Sequence, residues 1–187
     1  HRLDKDTSGA LVVAKTERAL RGLVQQFKEG LVQKEYLALV WGCVEPRTGH
    51  IETLIGRSAH NRKKMSAQPE TGRRALTDYE VLEQFTTAAV LRVRIHTGRT
   101  HQIRVHLAHL GHAVIGDVVY GRARRDALPA PAPDAASGPA LRQMLHAHQL
   151  AFAHPRTGLP LAFTAPVPED FRTLWRAFRE SDKLRAP

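Results

Sequence analysis

Cysteine is nearly absent from this chain, with Cys43 the single example among 187 residues. One thiol cannot close an internal disulfide and leaves no Cys-based zinc site, in keeping with a reducing compartment. Acids are also scarce, with 18 Asp and Glu against 28 Lys and Arg. No apolar run approaches the roughly 20 residues that a bilayer-crossing helix needs. The start carries charges where a secretory signal would need an uninterrupted apolar segment. These absences point to a cytoplasmic protein with no membrane partner.

What is present is positive charge and enough apolar sequence for one core. The net charge of +10 at pH 7 suits a polyanionic partner, because basic side chains that neutralise phosphates release condensed counterions. Hydrophobic residues make up 42% of the chain, a proportion that builds a single globular domain over 1–187.

Periodicity gives the outline. Ala10-Leu11-Val12-Val13-Ala14 reads as a buried strand, and Thr16 as a cap for a helix carrying Leu20, Leu23, Val24 and Phe27, ending near Gly30. Glu35 to Trp41 is apolar on both faces, as an inner strand is. Thr77 to Leu82 and Ala89 to His96 read as antiparallel strands, the second with Leu91, Val93 and Ile95 on one face and Arg92, Arg94 and His96 on the other. Thr100 to Leu110 reads as a short helix, capped by Thr100 and stopped by Gly111.

Residues 122–140 are crowded with alanine and proline and show no apolar period, so they predict a mobile insertion loop. Leu150-Ala151-Phe152 and Leu161-Ala162-Phe163 flank a turn and predict a hairpin. Phe171, Leu174 and Phe178 predict a closing amphipathic helix, with acids at its start where the helix dipole favours them. The fold class expected is α+β, a mixed and mostly antiparallel central sheet flanked by helices and loops.

Several short stretches carry candidate chemistry. His1-Arg2-Leu3-Asp4-Lys5-Asp6-Thr7-Ser8-Gly9 holds a carboxylate on a tight loop beside a strand. On residues alone, a turn aspartate accepting backbone N–H groups is the commonest fate of such a residue beside Thr-Ser-Gly, and so the bland reading of Asp4. Gly56 to Met65, with Arg57, Arg62, Lys63 and Lys64, lacks periodicity and reads as an RNA-facing basic arm or a solvated turn. His96, His101, His106, His109 and His112 are numerous, but no pair is joined to a convincing carboxylate ligand, so no metal site is expected.

Four of these stretches resemble, in order, the motifs of the RluA family of pseudouridine synthases: His1 to Thr16, Lys34 to Gly42, Thr97 to His106 and Leu145 to His148. Within that family the similarity looks closest to the large-subunit ribosomal RNA enzymes, through Lys63-Lys64-Met65 and Gly116-Asp117-Val118-Val119-Tyr120-Gly121. The resemblance implies isomerisation of specific uridines in structured RNA, with no cofactor. It implies that Asp4 is the essential acid, Tyr36 the tyrosine lying against the everted uracil, and Arg104 the basic partner of the acid.

By the same resemblance, Arg2 fills the space that the everted base leaves, and Arg57, Arg62, Lys63, Lys64, Arg99 and His101 are expected to contact RNA. His146 is expected to be structural. An RNA-binding or assembly module without turnover is the alternative reading. A hydrolase releasing free base is a third, which would need a second carboxyl that Asp6, in the same loop, is badly placed to supply. Family members carry further strands and, in several cases, an S4 domain ahead of the first motif, so the chain is expected to be a monomer incomplete at its amino end.

Overall fold

The computed structural model describes residues 1–59, 61, 64–121, 128–129 and 142–185. The elements in order are β1 (Ser8–Gly9), α1 (Glu17–Glu29), β2 (Gln33–Trp41), β3 (Thr48–Arg57), β4 (Met65–Ser66), β5 (Arg73–Gln84), β6 (Ala88–Ile95), α2 (Gln102–His109), β7 (Leu145–Ala153), β8 (Pro160–Thr164) and α3 (Glu169–Arg185). The strands form one sheet in the order β1-β7-β2-β6-β5-β3-β4, with β8 also paired to β7. The β1–β7 pair is parallel and the other pairs are antiparallel. The α+β architecture read from the sequence is the one observed.

β2 lies between β6 and β7, which is why it carries side chains that water could not tolerate on either face: Leu37, Ala38, Leu39, Val40 and Trp41 are all buried. α3 closes the core by stacking Phe178 on Phe85 with centroids 5.8 Å apart and setting it edge-on to Trp41 at 6.3 Å. α1 begins at Thr16, whose hydroxyl accepts the Ala19 N–H at 3.2 Å, and ends at Gly30 in the left-handed conformation. The β7–β8 hairpin and the closing helix also form where the periodicity places them.

Two local expectations fail. Residues 10–14 are not a strand; Leu11 and Val13 are 50% and 74% exposed. The reason lies in β7, one edge of which is occupied by β2. Its other edge accepts β1 opposite His146 and Ala147, then β8 from Gln149 onward, so no edge remains for residues 11–14. Thr100 does not cap α2. The cap position is His101, with φ of 56° and no side-chain capping bond. The loop read over 122–140 falls outside the described residues except at Leu128 and Pro129.

The β1–β7 contact fixes the amino-terminal loop through Gly9, whose φ is 114° and whose missing Cβ would stand 2.2 Å from the Ala147 carbonyl oxygen. Gly9→Ala is expected to lower stability by at least about 2 kcal/mol through strain and overlap combined. Urea unfolding followed by circular dichroism measures it; an unchanged midpoint would mean that β1 does not pair with β7 in solution.

Candidate active site

The Asp4 loop is short and bound from several sides. Its turn closes when the Thr7 N–H donates to the Asp4 carbonyl at 3.0 Å, and Asp6 takes the left-handed conformation with φ of 68°. The Gln143 amide donates to the Lys5 carbonyl at 3.1 Å and to the Thr7 hydroxyl at 2.6 Å. Arg142, itself held by Asp170, donates to the Asp6 carbonyl at 3.1 Å. His146 is buried and meets the Ser8 hydroxyl at 2.9 Å, a structural position as expected. A carboxylate fixed this way loses little freedom when it reacts, which is what a preorganised site requires.

α2 supplies the counter-charge. The loop before it is fastened to β5 by Gln102, whose amide donates to the Leu76 carbonyl at 2.8 Å and the Thr77 hydroxyl at 3.0 Å. Its oxygen accepts from the Thr97 hydroxyl and the Arg99 N–H. Two residues on, the buried guanidinium of Arg104 grips Asp117 through two parallel bonds, Nε to Oδ2 at 2.7 Å and Nη2 to Oδ1 at 3.0 Å. Its remaining nitrogen, Nη1, reaches Asp4 Oδ2 at 3.4 Å. Arg104 therefore does meet Asp4, but its tighter partner is Asp117.

Burial alone would raise the Asp117 carboxyl. The bonds from Arg104 and from the Tyr120 and Val119 N–H groups outweigh it and hold Asp117 below the usual carboxylate range. Burial likewise opposes charge on Arg104, and the Asp117 and Asp4 carboxylates more than offset it, raising the guanidinium further.

Asp4, Tyr36 and Arg2 line a cleft of about 630 Å3 together with Arg99 and His101. Tyr36 lies on β2, where the pairing with β7 slips register between Glu35 and Tyr36, an irregularity that re-aims the side chain. Burial first, and the Asp4 charge second, push the phenol up to about 12, so it stays a neutral O–H donor at physiological pH. Lys34, also in the cleft, is lowered by burial and by the neighbouring Arg99 charge.

The sequence-predicted residues are thus brought together in part. Arg57 and Lys64 belong to the β3–β4 arm and do not line the cleft; Arg62 and Lys63 lie outside the described residues. Asp6 is exposed and absent from the cleft wall. Among the described residues no group of three or more His, Cys, Asp or Glu side chains is arranged to hold a metal, and no helix is long and apolar enough to cross a membrane.

Sequence reasoning missed Asp117, Gln143, Arg142 and the binding role of Tyr120. The only signal for Asp117 and Tyr120 was the Gly116 to Gly121 match. Tyr120 joins three parts of the site: its hydroxyl meets the Met65 N–H at 2.9 Å and His101 Nδ1 at 2.8 Å, and its ring lies 5.2 Å from the Arg104 guanidinium carbon.

The chain is also similar to known proteins. Residues 1–109 match the family model described as RNA pseudouridylate synthase. An uncharacterized RNA pseudouridine synthase of Chlorobaculum parvum is 46% identical over 186 residues, covering 96% of this chain and 57% of that protein. The ribosomal large subunit pseudouridine synthase D of Nitrosomonas europaea is 46% identical over 179 residues, covering 96% of this chain and 50% of that protein. This chain therefore spans about half the length of the curated relatives it matches. Among solved structures, human RNA pseudouridylate synthase domain containing 1 superposes with a TM-score of 0.74 at 30% identity, covering 96% of this chain and 78% of that one.

Two outcomes are expected. Asp117→Asn leaves the buried Arg104 charge half-paired and should cost about 3–5 kcal/mol in urea unfolding, far more than a surface Asp→Asn change. His106, buried between Thr53 and Thr77 on α2, is lowered to about 4 by burial and then by the His109 and His50 charges. The unfolded chain, with an ordinary histidine near 6.5, binds this proton first as pH falls. Stability is full above about pH 6.5 and declines by roughly 3 kcal/mol as pH drops toward 4, a slope that urea midpoints should show and that His106→Gln should remove.

Proposed function

Because this chain belongs to the RNA pseudouridylate synthase family, we propose that it isomerises uridine to pseudouridine in structured large-subunit ribosomal RNA, with Asp4 as the catalytic carboxylate. The observation that carries the reading is the fixed Asp4 carboxylate facing a basic cleft, within 3.4 Å of a buried guanidinium. The names borne by relatives such as the Nitrosomonas europaea protein favour ribosomal RNA as the substrate class.

The reaction breaks the bond between ribose carbon 1′ and uracil nitrogen 1, turns the base, and joins ribose to carbon 5, which loses its proton while nitrogen 1 gains one, so that the product is an isomer. Asp4 serves this either by attacking the sugar or by taking the proton from carbon 2′ to give a glycal; in both, an anionic oxygen acts on the ribose. Arg104 pairs with Asp4 when its charge is not spent on the sugar, and Asp117 keeps Arg104 from moving. Tyr36 offers the everted ring a flat apolar face and a neutral hydroxyl.

Arg2, Arg99 and His101 are the cleft contacts to RNA, and Arg57 and Lys64 act from the arm on the phosphate backbone. The reaction belongs in the cytoplasm, where ribosomal RNA is matured and a lone thiol stays reduced. We take the protein to act as a monomer.

Asp4→Asn should reduce pseudouridine formation on transcribed large-subunit ribosomal RNA by at least about a thousandfold, read by carbodiimide mapping, with unfolding by urea little changed. Product formed at the wild-type rate by that variant would sink the reading. Free uracil found by chromatography would replace it with a hydrolase.

A further inference from the structure

The Tyr120 hydroxyl is bonded on two sides, and the bookkeeping of its single hydrogen decides the state of His101. The Met65 N–H can only donate, so at 2.9 Å the phenolic oxygen is its acceptor. Tyr120 must then place its own hydrogen somewhere, and the one remaining partner recorded among the described residues is His101 Nδ1, at 2.8 Å. If Nδ1 carried the ring proton instead, it would donate to Tyr120, and the half-buried hydroxyl hydrogen would have no acceptor among the described residues. With Nδ1 accepting, the imidazole proton sits on Nε2.

Four further observations bear on what that Nε2–H does. His101 lines the cleft, and its ring is near enough to Asp4, Arg104 and Arg2 to feel their charges. Burial lowers its pKa more than the Asp4 charge raises it, so the ring is neutral at pH 7 and offers a single defined donor. The residue takes a left-handed backbone conformation, φ 56°, which a non-glycine residue rarely adopts. Among the described residues Nε2 has no hydrogen-bond partner, whereas Nδ1 is engaged.

We propose that Tyr120 is a positioning residue that locks His101 as the Nε2–H tautomer, so that His101 presents a neutral N–H donor to an oxygen of the nucleotide bound beside Asp4. The inference rests on the reading of the cleft as an RNA site, and it gives that site a donor set by a residue outside the cleft wall. It also joins the base of the β3–β4 arm to the cleft, because the same hydroxyl that orients His101 holds Met65 of β4.

The test has two arms. In protein with 15N-labelled histidine at pH 7, long-range proton–nitrogen spectra should show His101 protonated on Nε2, and Tyr120→Phe should convert it to a mixture of tautomers. A His101 protonated on Nδ1 in the wild type would overturn the proposal, and this readout needs neither RNA nor turnover.

The second arm is a double-mutant cycle on affinity for transcribed large-subunit ribosomal RNA. Tyr120→Phe should weaken binding about tenfold when His101 is present, the scale of one hydrogen bond. In a His101→Gln background the effect should fall below about twofold, because the glutamine amide supplies a donor near the Nε2 position without a tautomer to set. The loss at Met65 is common to both backgrounds and cancels. An equal effect in both backgrounds would reduce Tyr120 to a packing role and overturn the proposal. A wild-type protein that shows the Nε2–H tautomer but forms no pseudouridine would fail the functional reading alone.

Discussion

A buried guanidinium that must satisfy two carboxylates at once is the constraint on which the rest of this structure depends. Arg104 is 5% exposed, and a charge so far from water is tolerable only if it is paired with good geometry. Asp117 provides that pairing through two bonds, which leaves one N–H to aim at Asp4. The order of strength matters. Were Asp4 the principal partner, its charge would be absorbed by the salt bridge; as the longer and weaker contact, its carboxylate is less fully engaged. The packing around α2, the Gln102 bonds to β5 and the His106 contacts to Thr53 and Thr77 all hold this one side chain in register.

The amino-terminal loop meets that guanidinium through a different mechanism. It has little core of its own and is held by polar groups from the segment entering β7: Gln143 on two of its residues, Arg142 on a third, and His146 on Ser8. Backbone carbonyls gripped by side chains from elsewhere make a rigid loop out of a stretch whose own sequence would turn freely. Gly9 permits the close approach to Ala147 that brings these groups into range.

Much of this was legible from residue order. The helix at Thr16, the inner strand through Trp41, the β5–β6 pair, the β7–β8 hairpin and the closing helix each follow from a local period and a local cap. Asp4, Tyr36 and Arg104 stood out because each lies in a contiguous motif. Asp117, Tyr120, Arg142 and Gln143 did not, because what they do is defined by partners far away in sequence, such as Gln143 with Thr7 and Tyr120 with Met65. The misread strand at residues 10–14 has the same origin. Its apolar pattern is genuine, but whether an apolar segment pairs depends on a free edge, and β8 had taken it. The basic arm shows the converse: charge density marked it, yet only three dimensions separate residues on the cleft wall from those beside it.

Acids and bases are also sorted unevenly over the surface. Glu35, Glu80 and Glu52 are engaged by Arg94, Arg92 and Arg74 on the sheet, and Glu83 and Glu169 by arginines of α3. The cleft wall, in contrast, holds Arg2, Lys28, Lys34, Arg73 and Arg99 against only Asp4 and Glu29. The cleft mouth is therefore a concentrated patch of positive charge on a chain that is basic overall. An approaching polyanion is drawn toward that patch before contact, and encounter frequency becomes sensitive to ionic strength.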